Sequence, residues 1–147
     1  MKLTHALLGE HGAFYVMFER LEEIAETATD PGTMKDALSP IAAALVAHSV
    51  SENDLLFPAL EAARGAGGPI EVMRGEHIEV EKLIADVTAC ASMPELRGAL
   101  AALLQVTRTH FAKEEEVLFP MAERSVPSAT LDQLAKDWAE RRGVKLV

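Results

Sequence analysis

One phrase occurs twice in this chain and constrains its fold more than any other feature. The two segments are HSVSENDLLFP, at 48–58, and HFAKEEEVLFP, at 110–120. Aligned on their histidines, both read His, three residues, Glu, two residues, an aliphatic residue and then Leu-Phe-Pro. Residues four apart project from the same face of a helix, so a nitrogen and an oxygen ligand lie one turn apart in each phrase.

The rest of the chain predicts an all-α protein. Apolar residues recur at helical spacing, and strands bounded by Gly or Asn-Gly turns are absent from the pattern. Turn sequences divide four long helices, and the short connections favour an up-down-up-down antiparallel four-helix bundle over about 3–124. A short additional C-terminal helix is predicted over about 129–142. We expect the second helix to begin at about Thr33 or, as the alternative, to have its first turn at Pro40 with Ser39 as its cap. Pro58 and Pro120 are expected to kink or end their helices.

Composition excludes several classes of protein. A chain of 147 residues, 49% of them hydrophobic, suits a single domain over 1–147 with its own core. The one cysteine, Cys90, cannot form an internal disulfide, and the N-terminus lacks the apolar run of a signal peptide. We therefore expect a cytoplasmic protein without a membrane span. The net charge of −9 argues against a nucleic-acid partner, because binding to phosphates depends on clustered Lys and Arg.

Each long helix carries a histidine on the stripe that should face the core. These residues are His11, His48, His77 and His110. Imidazoles and carboxylates are rarely buried without partners, and a donor set without thiolate suits iron, manganese or zinc. Two His-x3-Glu pairs on facing helices could therefore hold two metal ions, with both carboxylates bridging. The alternative is solvated ion pairs or satisfied core histidines, which the apolar stripes disfavour.

A second repeat completes the pattern. GEHGAF at 9–14 and GEHIEV at 75–80 each place Gly-Glu-His ahead of one His-x3-Glu helix. This order, with the Leu-Phe-Pro tails and the opening GPIEVMRGEH of the third helix, resembles the hemerythrin-like (HHE cation-binding) family over about 3–122. The resemblance implies a four-helix bundle with two iron ions in an oxo- or hydroxo-bridged non-haem centre, with manganese and zinc less favoured. The ligands that it implies are His11, His48, Glu52, His77, His110 and Glu114.

The chain departs from the oxygen-carrying hemerythrins at two positions. Where they have a second histidine on the third helix, this chain has Glu81, and Glu114 lies four rather than five residues after its histidine. The second feature matches the bacterial iron-repair and eukaryotic iron-sensing branches, so we do not expect reversible oxygen carriage. Glu81 is either a seventh metal ligand or an exposed or supporting carboxylate. Tyr15 is a core residue, a donor to the site or a ligand.

The resulting functional prediction is a di-iron protein that binds or reacts with a small oxidant. Open positions on reduced iron accept dioxygen, peroxide or nitric oxide, in the service of sensing, detoxification or iron handling. An enzymatic version would turn over peroxide or nitric oxide at the metal. The alternatives are a non-catalytic iron- or oxygen-sensing module, and a helical interaction protein with a vestigial site. The pattern makes no prediction of oligomeric state.

Overall fold

The computed structural model describes residues 1–146, and every regular element in that range is helical. The α-helices are α1 (Leu3–Thr27), α2 (Pro31–Ser51), α3 (Phe57–Arg64), α4 (Pro69–Ala89), α5 (Met93–Lys113), α6 (Phe119–Ser125) and α7 (Ser128–Arg142). The all-α class predicted from the periodicity is confirmed. None of these helices combines the length and the hydrophobicity that a membrane span requires.

Two π-helical turns join α2 to α3 and α5 to α6 without a break. They span Glu52–Leu56 and Glu114–Leu118, so each begins at the glutamate of a repeated phrase. The residue after each turn donates its N–H to the carbonyl of that glutamate, five residues earlier. Single π-helical turns inside α-helices are frequent at functional sites. The repeated phrase therefore encodes an unusual backbone as well as two polar side chains.

The prolines of the repeated phrases lie inside continuous helical rods. Pro58 and Pro120 are the second residues of α3 and α6, directly after the π-helical turns, where the backbone hydrogen-bond pattern is already altered. Pro40 is also internal, because α2 begins earlier, at Pro31. The side chain of Asp30 caps that helix by accepting the N–H of Thr33 at 2.9 Å. The predicted start of the second helix at about Thr33 therefore agrees with the structure, and the alternative start at Pro40 is wrong.

The long helices pack side by side along their lengths. α4 packs against α5 and α2, and α1 packs against α2, α5 and α6. Contacts occur in opposite order along α1 and along the continuous rod formed by α5 and α6. Near the start of α1, the Thr4 hydroxyl donates to Glu123 of α6. Near the end of α1, the carbonyl of Ala25 accepts from Arg97 of α5. The helix α7 lies against α1 and the first π-helical turn.

A layer of buried polar residues separates two apolar clusters. The cluster on one side includes Phe14, Phe18, Leu45, Val80, Leu104 and Phe111. The cluster on the other side includes Leu7, Leu56, Phe57, Met73, Leu118 and Leu131. Between them along the helices lie His11, His48, Glu52, His77, His110 and Glu114, all buried. Because buried imidazoles and carboxylates are costly without partners, this layer is where a function should be sought.

Candidate metal centre

The structure brings together six of the seven residues singled out as metal ligands. They form two groups whose ligand atoms lie within 4.8 Å of one another. One group contains His11 and His48, and the other contains His77 and His110. Glu52 and Glu114 belong to both groups. Each shared carboxylate can therefore reach two adjacent metal positions.

The histidines face each other in pairs through their Nε2 atoms. The Nε2 atoms of His11 and His48 are 3.1 Å apart, as are those of His77 and His110. The Nδ1 atom of every one of these rings lies near a side-chain oxygen, at 2.7 to 3.3 Å. An acceptor at this position holds the proton on Nδ1 and leaves a lone pair on Nε2. Two facing lone pairs at this distance require positive charge, from a proton or a metal ion.

Two of the Nδ1 acceptors come from the Gly-Glu-His repeats. Glu10 accepts from His48 at 2.7 Å, and Glu76 accepts from His110 at 2.8 Å. Each glutamate precedes the histidine of its own helix in sequence but supports the histidine of the next long helix. The glutamate of each Gly-Glu-His motif therefore orients a ring of the neighbouring helix.

The other two acceptors follow the shared glutamates. Glu115, next to Glu114, accepts from His11 Nδ1 at 2.9 Å. Asn53, next to Glu52, accepts from His77 Nδ1 at 3.3 Å through its amide oxygen. Asn53 was not singled out in the sequence, although it occupies the same place in its phrase as Glu115. The position directly after the inward-facing glutamate was the signal that could have identified it.

The four carboxylate oxygens of Glu52 and Glu114 test whether a metal ion fits. All four are buried and have no hydrogen-bond partner in the described part of the chain. The nearest imidazole nitrogens lie 3.1 to 3.5 Å away, without hydrogen-bond geometry. A buried ionised carboxylate is costly unless a cation compensates it. Together with four imidazoles and no thiolate, these oxygens fit iron or a similar cation.

Without a metal ion, burial and the neighbouring charges of the site shift the pKa values of its carboxylates and of His110. Burial, followed by repulsion from Glu114, raises the pKa of Glu52. Burial also acts to raise the pKa of Glu114, but attraction to His11 and His110 outweighs it and lowers that pKa. Burial lowers the pKa of His110, yet Glu114 and Glu76 together raise it to about 9. A proton on His110 therefore supplies positive charge in the metal-free protein.

Phenylalanine rings cover the histidines and exclude water. Phe57, from the first Leu-Phe-Pro, stacks on His77 with ring centroids 5.5 Å apart and planes 15° apart. Phe119, from the second Leu-Phe-Pro, lies 5.3 Å from the ring of His11. Phe111 stacks on the other side of the site, 3.8 Å from the His11 ring. Each repeated phrase thus supplies a shared carboxylate and an aromatic cover.

Glu81 and Tyr15 are not in either group. Glu81 is exposed, because the buried stripe of α4 advances from His77 to Val80, three residues on, and leaves the fourth residue turned outward. The structure thus places Glu81 outside both ligand groups, where the exposed-carboxylate alternative has it. The Tyr15 hydroxyl donates to Glu115 at 3.0 Å, so Tyr15 supports the partner of a histidine. Burial and this hydrogen bond raise the pKa of Tyr15 to about 12.

Two residues of α7 also reach the site, and sequence reasoning missed both. Trp138 Nε1 and Arg142 Nε donate to Oε1 of Glu10, at 3.1 and 2.7 Å. No local pattern could have identified these contacts, because more than 120 residues separate the partners in sequence.

Comparisons with known proteins identify a family and several relatives of this chain. The model of the hemerythrin HHE cation binding domain matches 2–122 and, in a second match, 86–144. A protein named DNA nickase from Nostoc sp. is 23% identical over 139 residues, which are 94% of this chain and 38% of that protein. The iron-sulfur cluster repair protein YtfE of Yersinia pseudotuberculosis is 32% identical over 123 residues, 74% of this chain and 56% of that protein.

A second YtfE, from Musicola paradisiaca, is 29% identical over 123 residues, 74% of this chain and 55% of that protein. The chain therefore spans between about two fifths and just over half the length of these curated relatives. No solved structure gives a significant match. Because the family model covers most of the chain, this protein belongs to the hemerythrin HHE cation-binding domain family.

Proposed function

We propose that the chain is a non-haem di-iron protein that binds or reacts with a small oxidant: dioxygen, peroxide or nitric oxide. The observation that carries this proposal is that Glu52 and Glu114 each belong to both groups of ligands. Two carboxylates common to two imidazole pairs suit two adjacent metal ions, whereas a single ion would use only one pair. Iron is favoured by the nitrogen and oxygen donor set and by the iron-related names of the YtfE relatives.

The proposed architecture is one domain over 1–147, an up-down-up-down antiparallel four-helix bundle with α7 across it. Its four rods would be α1, α2–α3, α4 and α5–α6. The reversed order of contacts between α1 and α5–α6 supports this topology. So does the reversed order between α2–α3 and α4, where Asn53 contacts His77 and Glu61 contacts Arg74.

Each set of residues would have a distinct role. The four Nε2 atoms and the two shared carboxylates would hold the iron ions, which when bound supply redox chemistry and open coordination positions. The acceptors at Nδ1 keep the rings in the tautomer that presents a lone pair on Nε2. The phenylalanine rings keep the site dry. Glu115 and the Tyr15 hydroxyl hold a proton beside His11.

The burial of the site supports a small ligand. The six residues are at most 3% exposed, so a polymer or large metabolite could not reach the metal positions without rearrangement. A surface pocket of about 290 Å³, lined in part by Glu115 and Phe119, approaches one side of the site. Another, of about 220 Å³, is lined in part by Glu76 and Lys113 and approaches the other side. We propose no nucleic-acid partner for this domain, although one relative is named a nickase.

A second candidate function is the handling of iron for the repair of iron–sulfur clusters. It is favoured by the name of the YtfE relatives, and it would use the same site with iron as cargo. A non-catalytic sensing module is the remaining alternative. These functions differ in what happens after metal binding: turnover of an oxidant, release of iron, or neither.

The experiment is anaerobic reconstitution with Fe²⁺, followed by metal analysis, an optical spectrum before and after oxidation, and single-turnover mixing with each oxidant. We expect two iron ions per chain and near-ultraviolet absorption in the oxidised form. Turnover of peroxide or nitric oxide supports the first proposal, and release of iron to an acceptor without turnover supports the second. One metal ion or none per chain would contradict both.

A further inference from the structure

Glu10 is the point at which α7 meets the candidate metal centre. One of its oxygens, Oε2, accepts the Nδ1 hydrogen of His48 at 2.7 Å. The other, Oε1, accepts from Trp138 at 3.1 Å and from Arg142 Nε at 2.7 Å. A second Arg142 nitrogen lies 3.4 Å from Oε2. The side chains of Glu10 and Arg142 are only 19% and 22% exposed, so water competes poorly for these bonds.

We propose that α7 is a positioning element of the metal centre. Trp138 and Arg142 fix the carboxylate of Glu10, and Glu10 fixes the ring of His48. Metal binding at His48 and the docking of α7 therefore stabilise each other. This inference rests on the proposed function, since it requires a metal ion at the site.

The physical link is the imidazole ring itself. A cation at Nε2 withdraws electron density, makes Nδ1–H a stronger donor and tightens its bond to the carboxylate. A carboxylate held by a guanidinium and an indole is already oriented, so the ring loses less freedom when the metal binds. Coupling between two binding events is reciprocal, so the metal must stabilise the docked α7 by the same factor.

His48 is the histidine that α7 reaches in this way. The carboxylate that supports His110, Glu76, is paired with Lys113 on the same long helix as that histidine. The carboxylate that supports His11 is held by Tyr15, again on the helix of its histidine. The link through Glu10 therefore joins a separate helix to one metal position. Its effect on metal affinity can for this reason be distinguished from an effect on the general stability of the protein.

Trp138 provides a direct readout, because it is the only tryptophan in the sequence. The metal-free protein is titrated with Zn²⁺, which has no redox chemistry, while Trp138 emission and metal affinity are both followed. We expect the wild-type emission to change and to saturate with metal binding. Glu10→Ala should abolish the emission change and weaken metal affinity by roughly 10- to 100-fold, as is usual when a partner of a metal-binding histidine is lost.

Arg142→Ala tests the contribution of α7 without touching a group that bonds to histidine. We expect it to weaken Zn²⁺ affinity by roughly tenfold, and Arg142→Lys to recover part of that loss. The matched control is Arg141→Ala. Arg141 lies on the same helix and pairs with Asp54 at 2.8 Å, but it is exposed and does not contact Glu10. Its loss should change affinity by no more than about twofold.

The outcomes separate this inference from the proposed function. If the wild type binds no metal, both fail. If it binds two ions while Trp138 emission stays constant and Arg142→Ala binds as tightly as the wild type, only the role of α7 is overturned. Equal losses in Arg141→Ala and Arg142→Ala would also overturn it, because they would reflect general docking of α7 rather than the hold on Glu10.

Discussion

Replacing Glu52 by Met should stabilise the metal-free protein and abolish its response to metal. Both carboxylate oxygens of Glu52 are buried without a hydrogen-bond partner. Burial, followed by repulsion from Glu114, raises the pKa of Glu52, which means that its ionised form is disfavoured in the folded state. Met has a similar length and volume and no strongly polar atoms. The substitution therefore removes the cost of burying the carboxylate without leaving a large cavity.

The expected magnitude follows from the surroundings of that carboxylate. A buried unsatisfied polar group costs about 1–3 kcal/mol, and more when it is charged. Part of this gain is offset, because His77 Nε2 at 3.2 Å and His48 Nε2 at 3.5 Å lose a nearby negative charge. We expect a net stabilisation of about 1–2 kcal/mol, which raises the melting temperature of a chain of this size by roughly 2–8 °C.

The assay is urea unfolding at neutral pH, first with a chelator and then with saturating Fe²⁺ under anaerobic conditions. With the chelator, the variant should be more stable than the wild type. With iron, the wild type should be the more stable of the two proteins. A ligand at about 100 times its dissociation constant stabilises the wild type by about 2.7 kcal/mol, whereas the variant, which lacks one carboxylate ligand, should gain no stability from iron.

The matched control is Glu116→Met, which makes the same chemical change at an exposed position of the other π-helical turn. It should alter stability by no more than about 0.5 kcal/mol in either condition. A metal-free Glu52→Met protein that is clearly less stable than the wild type would contradict this prediction. That result would mean that the carboxylate is a net stabiliser without metal, satisfied by the neighbouring imidazoles.

Three further predictions concern other residues. His110→Ala should lose most of the bound metal and His5→Ala little, by metal analysis; equal losses would contradict the assignment of the buried ring as a ligand. Asn53→Asp replaces the amide oxygen that accepts from His77 Nδ1 by a carboxylate oxygen, and should raise metal affinity roughly tenfold in a chelator competition. Unchanged affinity would show that Asn53 does not support the ring of His77. The hydrogen bond from Arg108 lowers the pKa of Glu22 below 4.5, so its stabilisation is present above that pH and is lost as the pH falls further. In Glu22→Gln, the free energy of unfolding should therefore depend less on pH in this acid range. If both proteins lose the same stability as the pH falls, the ion pair of Glu22 with Arg108 does not contribute.

The parts of the site that could be predicted from sequence depend on local geometry. His110 and Glu114 are four residues apart on one helix, and apolar residues on the same stripe show which way they face. Once both repeated phrases are placed on inward stripes, packing the helices brings their polar residues into one layer. The same reasoning extends to His11 and His77, whose stripes are equally clear.

The remaining parts depend on information that spacing does not carry. Glu81 lies outside both ligand groups because the buried stripe of α4 steps by three residues after His77 rather than by four, and both steps are compatible with a helix. The π-helical turns were not predicted, since Pro58 is equally consistent with a kink, an end or a π turn. The contact of Trp138 with Glu10 depends on how α7 docks, which is a property of the tertiary fold.

The supporting residues join the two halves of the site. Asn53, on the α2–α3 rod, accepts from His77 on α4, while Glu115, on the α5–α6 rod, accepts from His11 on α1. The pair formed by α1 and α2–α3 therefore supplies a supporting residue to the pair formed by α4 and α5–α6, and the reverse is also true. Metal binding should for this reason hold the pairs together, and the metal-free protein should open first between them.

The repeat is broken at one of these supporting positions, and this makes the two halves of the centre unequal. Glu115 places a carboxylate on one histidine, whereas Asn53 places only a neutral amide on its counterpart. A carboxylate at Nδ1 makes an imidazole a more basic ligand than an amide does. The group that contains His11 and His48 has two such carboxylates, and the group that contains His77 has one. More basic ligands favour a more highly charged cation, so we expect the proposed metal position at His11 and His48 to bind a metal ion more tightly than the position at His77 and His110.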